Sequence, residues 1–304
     1  MDLSIVVVSW NTRDLLDNCL KSIYAYPFSG EFEVILVDNA SGDGSAEMVK
    51  ANYPQVKLLA NSENTGFARA NNQAIRLCSG RYILLLNPDT ELKPHTLDRL
   101  VAFMERTPQA GAAGSRLLNP DGSLQLSCHP ELTLGHELWR LLHLDSIVPV
   151  AMYRQSQWEL DREREVDVIQ GASLILRRAA LDKVGWLDEE YFIYTEEVDL
   201  CHRLKKAGWK LYWVPQSEVV HYGGQSTRQV PREMFLRLYQ SRVLYFRKNH
   251  GALTAFIYKM VLFFVAVARL IFSPTVLLAQ ASERTYRKSL VGNYRSLLAA
   301  LPRM

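Results

Sequence analysis

The stretch LSIVVVSWNTRD, residues 3–14, decides the fold class of the chain. Residues 3–9 are mostly β-branched and apolar, which is typical of a parallel strand buried on both faces. Cap-forming residues follow at 11–14, and apolar residues then recur at helical spacing between 15 and 23. The stretch therefore predicts a buried strand that leads directly into a helix.

The same alternation continues through the first third of the chain. Further apolar strands are predicted at 32–37, 56–59 and 82–86, and further helices at about 46–52 and 68–78. Alternating strands and helices are typical of an open, mostly parallel sheet with right-handed crossovers. The predicted fold class is therefore α/β and Rossmann-like, with helices flanking the sheet.

Polar residues stand where three of these strands end: Ser9 and Asn11, then Asp38 and Asn39, then Asn87-Pro88-Asp89. Turns are generally rich in such residues, so any one of these groups could be a plain turn. Ligands of open α/β sheets, however, bind at the carboxyl ends of the strands. Three successive strands that end in an acid or an amide therefore predict a binding site at this edge.

Residues 107–227 are less regular. The turn signal Asn119-Pro120-Asp121-Gly122 predicts a hairpin. The segment 131–160 has no clean period and is interpreted as irregular and mobile. A strand at 166–176 is interrupted at Gly171-Ala172, where a bulge or a close approach of a ligand to the backbone is expected.

Composition excludes several classes of protein. With 304 residues, 48% hydrophobic and 22% charged, the chain has an ordinary globular balance, which excludes disorder, collagen and coiled coil. Its four cysteines form no CxxC pair, so we predict neither a zinc cluster nor a disulfide framework. The same observation favours a reducing compartment for the protein. The apolar run at 5–8 is too short for a signal peptide.

Charge is unevenly distributed along the chain. Residues 228–304 contain thirteen Lys or Arg and two Glu, a net charge of +11, which leaves −8 on residues 1–227. We therefore expect the two parts to face different partners. Nucleic acid is not predicted as a partner, because no known reader motif or interleaving of aromatic and basic residues accompanies the charge.

The basic part contains an apolar segment at 260–279, with one charge, Arg269, and one proline, Pro274. A spanning helix needs about 20 apolar residues, and an arginine near its centre costs about 2.5–3.5 kcal/mol. We therefore predict a helical segment or re-entrant hairpin that lies in the cytoplasmic leaflet, with basic residues attracted to an anionic membrane surface. The alternative is a soluble helix packed on the core or on a dimer partner.

Seven segments, in the same order, resemble glycosyltransferase family 2, and within it the bacterial rhamnosyltransferase-type enzymes of cell-surface polysaccharide assembly. The segments are SIVVVSWN (4–11), EVILVDNASGDGS (33–45), NTGFARANN (64–72), YILLLNPDT (82–90), VIQGASLILRR (168–178), GWLDEEYFIYTEEVDLCHRLKKAGW (185–209) and HYGGQST (221–227). The resemblance implies a GT-A-type fold over 1–227. It assigns about 1–106 to the nucleotide-sugar-binding half, about 107–227 to the acceptor half, and 228–304 to a helical, membrane-associating C-terminal region.

The resemblance implies a donor site at the strand ends. Asp38 can accept the imide N–H of uracil or thymine, which does not separate the two bases, and the loop from Asn39 can line the ribose. A loop meets a helix start at 64–69, where backbone N–H groups favour phosphate, although a capped helix would explain the same residues. The donor residues implied are Ser9, Asn11, Asp38, Asn39, Asn64, Gly66, Phe67, Arg69 and Asn87.

Asn87-Pro88-Asp89 stands where the family has its metal-binding Asp-x-Asp. Asp89 matches the usual ligand, while Asn87 departs from the first Asp and offers a neutral oxygen. A divalent cation, Mg²⁺ or Mn²⁺, suits such oxygen ligands, and the imidazole of His221 would complete the coordination.

Glu197 aligns with the catalytic base of the family, which is more often Asp. Glu196 is expected to orient it, and Asp199 to form a supporting ion pair with Arg203. Acids at a helix N-terminus also favour the macrodipole, which would explain one or two of the three without catalysis. Tyr194, next to this acidic group, is assigned to the acceptor side, together with Trp186, Gly171 and Ala172.

One carboxylate base without a second nucleophile implies an inverting, metal-dependent glycosyltransferase. The reaction that the resemblance best supports is transfer of L-rhamnose from dTDP-rhamnose to a lipid-linked glycan at the cytoplasmic face of the inner membrane. The sequence is also compatible with an oligomer. A UDP-sugar-dependent transferase of the same fold and a non-catalytic glycan-assembly subunit are the alternatives. A nucleotidyltransferase would need a Gly-rich basic loop after the first strand, where this chain has Trp10-Asn11-Thr12.

Overall fold

The computed structural model describes residues 1–271 and 281–304. Pro274 and the other residues of the predicted segment 260–279 beyond Ile271 therefore lie outside the described residues. The chain forms two compact units. The first consists of Met1–Glu131, Met152–Phe192 and Glu196–Gln229, and the second of Leu132–Ala151, Ile193–Thr195 and Val230–Met304.

Strands and helices alternate along the first third of the described chain, as predicted. The strands are β1 (Leu3–Ser9), β2 (Phe32–Asp38), β3 (Lys57–Ala60), β4 (Tyr82–Leu86), β5 (Thr90–Leu92), β6 (Ala110–Leu118), β7 (Leu124–Gln125), β8 (Cys128–His129), β9 (Arg164–Glu165), β10 (Val168–Ile169), β11 (Ser173–Arg177) and β12 (Lys210–His221). The helices are α1 (Arg13–Ala25), α2 (Ser45–Asn52), α3 (Phe67–Ile75), α4 (Thr96–Arg106), α5 (Leu134–Leu141), α6 (Arg178–Val184), α7 (Glu196–Lys206), α8 (Pro231–His250), α9 (Ala252–Ile271) and α10 (Ala281–Ala300).

The main sheet of the first unit has the order β3-β2-β1-β4-β11-β6-β12-β5. β1 runs parallel to both β2 and β4, and every residue of β1 is buried, as its β-branched run predicts. β11 is antiparallel to its two neighbours, and β12 is parallel to β6. The predicted α/β fold, an open and mostly parallel sheet flanked by helices, is therefore confirmed.

The register of β1 against β2 brings their polar ends together. Ser9 lies opposite Asp38, so both residues lie at the same edge of the sheet. Helix α1 packs against β5 and α2, and its fully buried residues Leu16, Leu20 and Ile23 join the same core cluster as the side chains of β1. Truncating one such leucine to alanine would cost about 2–5 kcal/mol, so this packing contributes substantially to the stability of the first unit.

The hairpin predicted at 119–122 is confirmed. β6 pairs antiparallel with β7 across it, and Gly122 takes the left-handed backbone that the turn requires, with φ 83°. The predicted interruption at Gly171-Ala172 also lies where expected, between β10 and β11. The prediction of an irregular segment over 131–160 is wrong for α5, where Thr133 caps the helix by accepting a hydrogen bond from the His136 N–H at 3.1 Å.

The second unit is helical, with α9 packed against α8 and α10. Arg269 lies in the last turn of α9 and donates to the Leu141 carbonyl at 3.0 Å and to the Tyr294 hydroxyl. Hydrogen-bond partners within its own unit therefore stabilise the Arg269 charge. The sequence analysis did not predict these partners. Among the described residues, α9 is the one helix long and apolar enough to cross a membrane.

One side of α9 is exposed. Leu253 and Phe264 are 73% and 66% exposed, and further apolar side chains extend the same surface. We call this surface the α9 apolar face: Leu253, Phe256, Ile257, Met260, Phe263, Phe264 and Ile271. A helical C-terminal region is therefore present, and whether it meets a membrane stays a prediction.

Candidate active site

The ends of β1 and β2 form the first part of the site. The Asn39 N–H donates to the Ser9 carbonyl at 2.8 Å, which joins the two strand ends. Asp38 is almost completely buried, and its Oδ2 accepts from the Ser41 N–H at 3.0 Å. Its Oδ1 is buried without a hydrogen-bond partner in the described structure. A buried acceptor without a partner costs free energy, so this atom is suited to a donor group of a ligand.

Asn39 holds the loop before α3. Its amide nitrogen donates to Asn64 Oδ1 at 2.8 Å, and its amide oxygen accepts from Asn61 Nδ2 and the Thr65 N–H, both at 3.0 Å. These bonds use both ends of a side chain that is almost completely buried. Asn39 and Asn64 are thus scaffold residues of this loop, and their predicted contacts with the donor stay a prediction.

The start of α3 is bound to a second loop, at 187–192. The Phe67 N–H donates to the Phe192 carbonyl at 2.6 Å, and Arg69 pairs with Glu189 at 3.2 Å. Gly66 has φ 85° and comes so close to Phe192 that a side chain would not fit. The predicted phosphate contacts of Gly66, Phe67 and Arg69 stay a prediction.

A cleft of about 410 Å³ opens beside Asn11, which has φ 52° and accepts from the Gly42 N–H at 2.8 Å. The lining residues are Asn11, Thr12, Arg13, Asp14, Leu15, Asp43, Gln225 and Gln229. Of these, the sequence analysis singled out Asn11 alone as a site residue. Asp43 and Gln225 belong to two of the seven resembling segments, so that resemblance could have indicated them.

Asp89 and His221 lie together where β5 meets β12. Thr90 is opposite His221 in the register, and this pairing brings Asp89 Oδ1 to 3.3 Å from His221 Nε2. Gly223 and Gly224, both left-handed, turn the chain back so that the Gln225 N–H reaches Asp89 Oδ2 at 3.3 Å. The structure therefore joins two residues that are 132 positions apart in the sequence.

The donor atoms of this pair fit a divalent cation. A carboxylate and an imidazole are both ligands that Mn²⁺ accepts, and oxygen ligands also suit Mg²⁺. The amide of Asn87 adjoins them, with its Nδ2 3.5 Å from His221 Nε2. Within the described chain no group of three His, Cys, Asp or Glu residues could hold a metal. The remaining ligands would therefore have to come from a substrate or from water.

The three acids of α7 have different environments. Asp199 forms the predicted ion pair with Arg203 at 2.7 Å. Glu196 is buried, whereas Glu197 is partly exposed. Burial, and next the charge of Glu197, raise the pKa of Glu196 well above its ordinary value.

The backbone in front of α7 is strained. Tyr194 and Thr195, which belong to the second unit, have φ 68° and 71°. Non-glycine residues rarely adopt this left-handed conformation, and such strain is concentrated at functional sites. This observation favours a functional start of α7 over the plain helix N-terminus that the sequence also allowed.

The segment at Gly171-Ala172 connects the donor side with α7. The Asn87 N–H donates to the Ala172 carbonyl at 3.1 Å. A Cβ on Gly171 would lie 3.9 Å from the Phe67 ring and 4.0 Å from the Glu197 Cβ. Glu197 and Asn87 therefore both adjoin Gly171-Ala172. Asn87 precedes Asp89 by two residues.

Trp186 also lies close to α7. Its carbonyl accepts from Arg203 at 2.7 Å, and the guanidinium of Arg76 lies 5.6 Å from the centre of its ring. These contacts fix Trp186 within the first unit. The acceptor roles of Gly171, Ala172, Trp186 and Tyr194 stay predictions.

Comparison with known proteins identifies a matching family and several relatives. The model of the family described as Glycosyl transferase family 2 matches residues 4–184. An N-acetylglucosaminyl-diphospho-decaprenol L-rhamnosyltransferase of Mycobacterium tuberculosis is 32% identical over 268 residues, which cover 82% of this chain and 85% of that protein. Rhamnosyltransferase WbbL of Escherichia coli is 23% identical, over 74% of this chain and 84% of the relative.

Solved structures are similar in fold. The mannosyltransferase PcManGT of Pyrobaculum calidifontis, in complex with GDP-Man and Mn²⁺, has a TM-score of 0.61 and 18% identity, and covers 98% of this chain and 86% of that one. GalNAc-T7 with UDP, GalNAc and Mn²⁺ has a TM-score of 0.58 and 16% identity, with 81% and 48% covered. At these identities the likeness concerns the fold, which is that of glycosyltransferases.

Proposed function

Because the chain belongs to glycosyl transferase family 2, we propose that it transfers L-rhamnose from dTDP-L-rhamnose to a polyprenyl-diphosphate-linked sugar, with inversion at the anomeric carbon. Two observations carry the proposal: Asp89 lies beside His221, and the segment Gly171-Ala172 adjoins both Asn87, which precedes Asp89 by two residues, and Glu197. Such a site needs a group to hold the leaving diphosphate and a base for the attacking hydroxyl. Both are available here within one unit.

Glu197 is the general base of this proposal. Burial, and next the charge of Glu197, raise the pKa of Glu196, so Glu197 is the better suited of the two to accept a proton. Glu197 is also the more exposed of the two, and it can reach a hydroxyl at hydrogen-bond distance. It takes the proton of the acceptor hydroxyl, whose oxygen attacks the anomeric carbon as the bond to the nucleoside diphosphate breaks.

Asp89 and His221 would hold a divalent cation, with Asn87 beside them. When bound, that cation supplies positive charge that stabilises the departing diphosphate. The Mn²⁺ complexes of PcManGT and GalNAc-T7 support a cation of this kind. The main-chain N–H of Gln225 holds the second oxygen of Asp89, so that the carboxylate is kept in one orientation.

Asp38 is assigned to the nucleotide base. Its buried Oδ1 has no partner in the described structure and can accept the imide N–H that uracil and thymine share. The cleft beside Asn11 and Asp43 would then lie along the ribose. Thymidine is proposed over uridine because two of the relatives are named rhamnosyltransferases.

The acceptor is proposed to be lipid-linked and the enzyme to lie on the cytoplasmic face of the membrane. The Mycobacterium tuberculosis relative is named for a decaprenol-linked sugar. The α9 apolar face and the net charge of +11 on residues 228–304 suit an anionic membrane surface.

The test is Glu197→Gln, which keeps the size of the side chain and removes the base. We expect turnover of dTDP-L-rhamnose with an N-acetylglucosaminyl-diphospho-polyprenol acceptor to fall by about 10²–10⁴-fold, because a positioned base contributes about that much. The Glu197 variant should still be stabilised by dTDP-L-rhamnose with Mn²⁺ as much as the wild type is. This stabilisation is measured as the rise in melting temperature, and UDP-glucose with Mn²⁺ serves as the comparison donor.

The matched control is Glu47→Gln, which neutralises an exposed acid in the first turn of α2. It should turn over normally. Near-normal turnover by the Glu197 variant would refute the role of Glu197 as base, and stabilisation by UDP-glucose instead of dTDP-L-rhamnose would refute the proposed donor.

A further inference from the structure

The side chain of Gln125 connects the hairpin to His221. Gln125 lies on β7, directly after the turn at 119–122. Its Oε1 is 2.6 Å from His221 Nδ1, and its Nε2 donates to the His221 carbonyl at 3.1 Å. The same Nε2 donates to Asn119 Oδ1 at 2.9 Å. Gln125 thus contacts both the ring and the backbone of His221.

These contacts determine which way the Gln125 amide points. Its nitrogen faces two oxygen acceptors, so the NH₂ group must lie on that side and the oxygen must face the imidazole. Asn119 is fixed in the same sense, because its own Nδ2 donates to Ser123 Oγ at 2.9 Å and leaves Oδ1 towards Gln125. An oxygen that faces His221 Nδ1 can only accept a hydrogen bond, so Nδ1 carries a proton.

The position of this proton decides what His221 offers to Asp89. In the neutral ring a proton on Nδ1 leaves Nε2 with a lone pair. That Nε2 is 3.3 Å from Asp89 Oδ1, which also carries lone pairs. Two such atoms side by side repel each other, but both can donate to one cation.

We propose that Gln125 is a positioning residue, which holds His221 in the Nδ1–H tautomer so that Nε2 and Asp89 Oδ1 together bind the divalent cation. The inference rests on the proposed function, because that function assigns the cation to this pair. Asn119 acts one step behind, by holding the Gln125 amide in its orientation. Outer hydrogen bonds of this kind generally change metal affinity by about 10–100-fold.

The first measurement concerns the wild-type chain without metal. Nitrogen-15 chemical shifts of the histidine rings at pH 8, with His221 assigned from a His221→Gln variant, report the tautomer directly. We expect the Nδ1–H form. An Nε2–H tautomer of His221 would overturn the inference. A merely structural hydrogen bond from Nδ1 to Gln125 would give the same tautomer, so the metal affinity of a Gln125 variant separates the two roles.

The second measurement is the affinity for Mn²⁺ in the presence of thymidine diphosphate, followed by the electron paramagnetic resonance of the free ion. We expect Gln125→Leu to weaken Mn²⁺ binding about 10–100-fold, because the imidazole loses the acceptor that fixes its proton and its orientation. The matched control is Gln216→Leu on β12, the strand of His221. Gln216 donates to the Asp161 carbonyl, and its variant should bind Mn²⁺ like the wild type.

The outcomes separate the two levels of the argument. Mn²⁺ binding by the Gln125 variant within twofold of the wild type overturns the positioning role while the proposed metal site stands. A wild-type chain that binds no Mn²⁺ overturns the proposed metal site and this inference with it. If the Gln125 variant does not fold, the tautomer of the wild type still decides.

Discussion

Gly66 combines two requirements at one residue. Its backbone, φ 85° and ψ 169°, lies in a region that is essentially restricted to glycine. A Cβ would also stand 2.6 Å from the Phe192 carbonyl oxygen, closer than such atoms approach. Only glycine therefore lets the start of α3 meet the loop at 187–192.

We therefore expect Gly66→Ala to destabilise the first unit by about 1–3 kcal/mol, the usual cost of such strain. The control is Gly42→Ala, because Gly42 has no positive φ and open space around its Cβ position. Melting temperatures of the two variants decide the matter. Equal temperatures would mean that the close approach of Gly66 and Phe192 is not needed.

Glu33 is a second residue whose surroundings give a measurable prediction. Burial opposes its ionisation, but hydrogen bonds from Lys57, Ser79 and Ser4 outweigh burial and lower its pKa to about 2. A carboxyl whose pKa is lowered by folding stabilises the folded state above its unfolded pKa, about 4.5, and this contribution disappears as the pH falls towards 2.

Glu33→Gln should therefore lower the free energy of unfolding by about 3 kcal/mol at pH 7, and by less at each step down from pH 5 to pH 3. Glu105→Gln, which removes an acid that is 45% exposed, is the control and should have a small effect at every pH. A deficit of the Glu33 variant that stays constant over this range would contradict the assigned pKa.

At the residue scale, the sequence predicted the proposed site residues better than the residues that hold them in position. Asp38, Asp89, His221 and Glu197 lie in recognisable segments, and the strand-end positions of Asp38 and Asp89 follow from the alternation of strands and helices. Gln125 has no such signal, because its role depends on the register of a hairpin against β12. The register of this hairpin against β12 cannot be predicted from a single sequence.

At the scale of elements, the long strands and amphipathic helices were predictable because burial on one face or two leaves a period in the sequence. Helix α5 was missed for a physical reason. Its buried positions include Glu137, a charged residue that interrupts the apolar pattern, and the partners of Glu137 lie in α8 and α9. Tertiary contacts of this kind leave no local period.

The same group ties three helices of the second unit together. The Glu137 side chain is fully buried, accepts from Arg242 of α8 at 2.6 Å, and accepts from the Tyr258 hydroxyl of α9 at 2.9 Å. Arg140 of α5 also lies 3.0 Å from Glu137 but is itself 35% exposed, so replacing Arg242 removes the more buried of the two positive partners of this carboxylate. Glu137 should therefore become a destabilising group once Arg242 is replaced.

We expect Arg242→Met to lower the unfolding free energy by about 3 kcal/mol, and the double variant Glu137→Leu with Arg242→Met to recover part of the loss. Arg237→Met is the control on the same helix, since its pair with Glu233 is exposed and should contribute less than about 1 kcal/mol. Chemical denaturation measures all three. An Arg242 variant as stable as the Arg237 variant would refute the role of the buried pair.

At the scale of the whole chain, charge and apolar surface coincide. Residues 228–304 carry a net charge of +11 against −8 on residues 1–227, and the α9 apolar face belongs to this basic stretch. Its side chains at 253, 256, 257, 260, 263 and 264 recur at helical spacing, so they form a stripe along one side of α9. A stripe flanked by basic residues is typical of helices that lie in the membrane interface.

The full chain should therefore float with vesicles that contain anionic lipid, and much less with neutral vesicles or at 1 M salt, where the Debye length shrinks to about 3 Å. Phe264→Glu places a charge in the middle of the stripe. It should reduce flotation roughly tenfold, because the apolar ring proposed to enter the membrane interface is replaced by a group that must stay hydrated. Gln240→Glu adds the same charge at an exposed position of α8 and should float almost like the wild type.

Equal flotation of both variants would show that charge alone attracts the chain to the vesicles. Recovery of the wild type in the soluble fraction with every lipid would contradict the membrane contact, and the α9 apolar face would then be assigned to a protein partner.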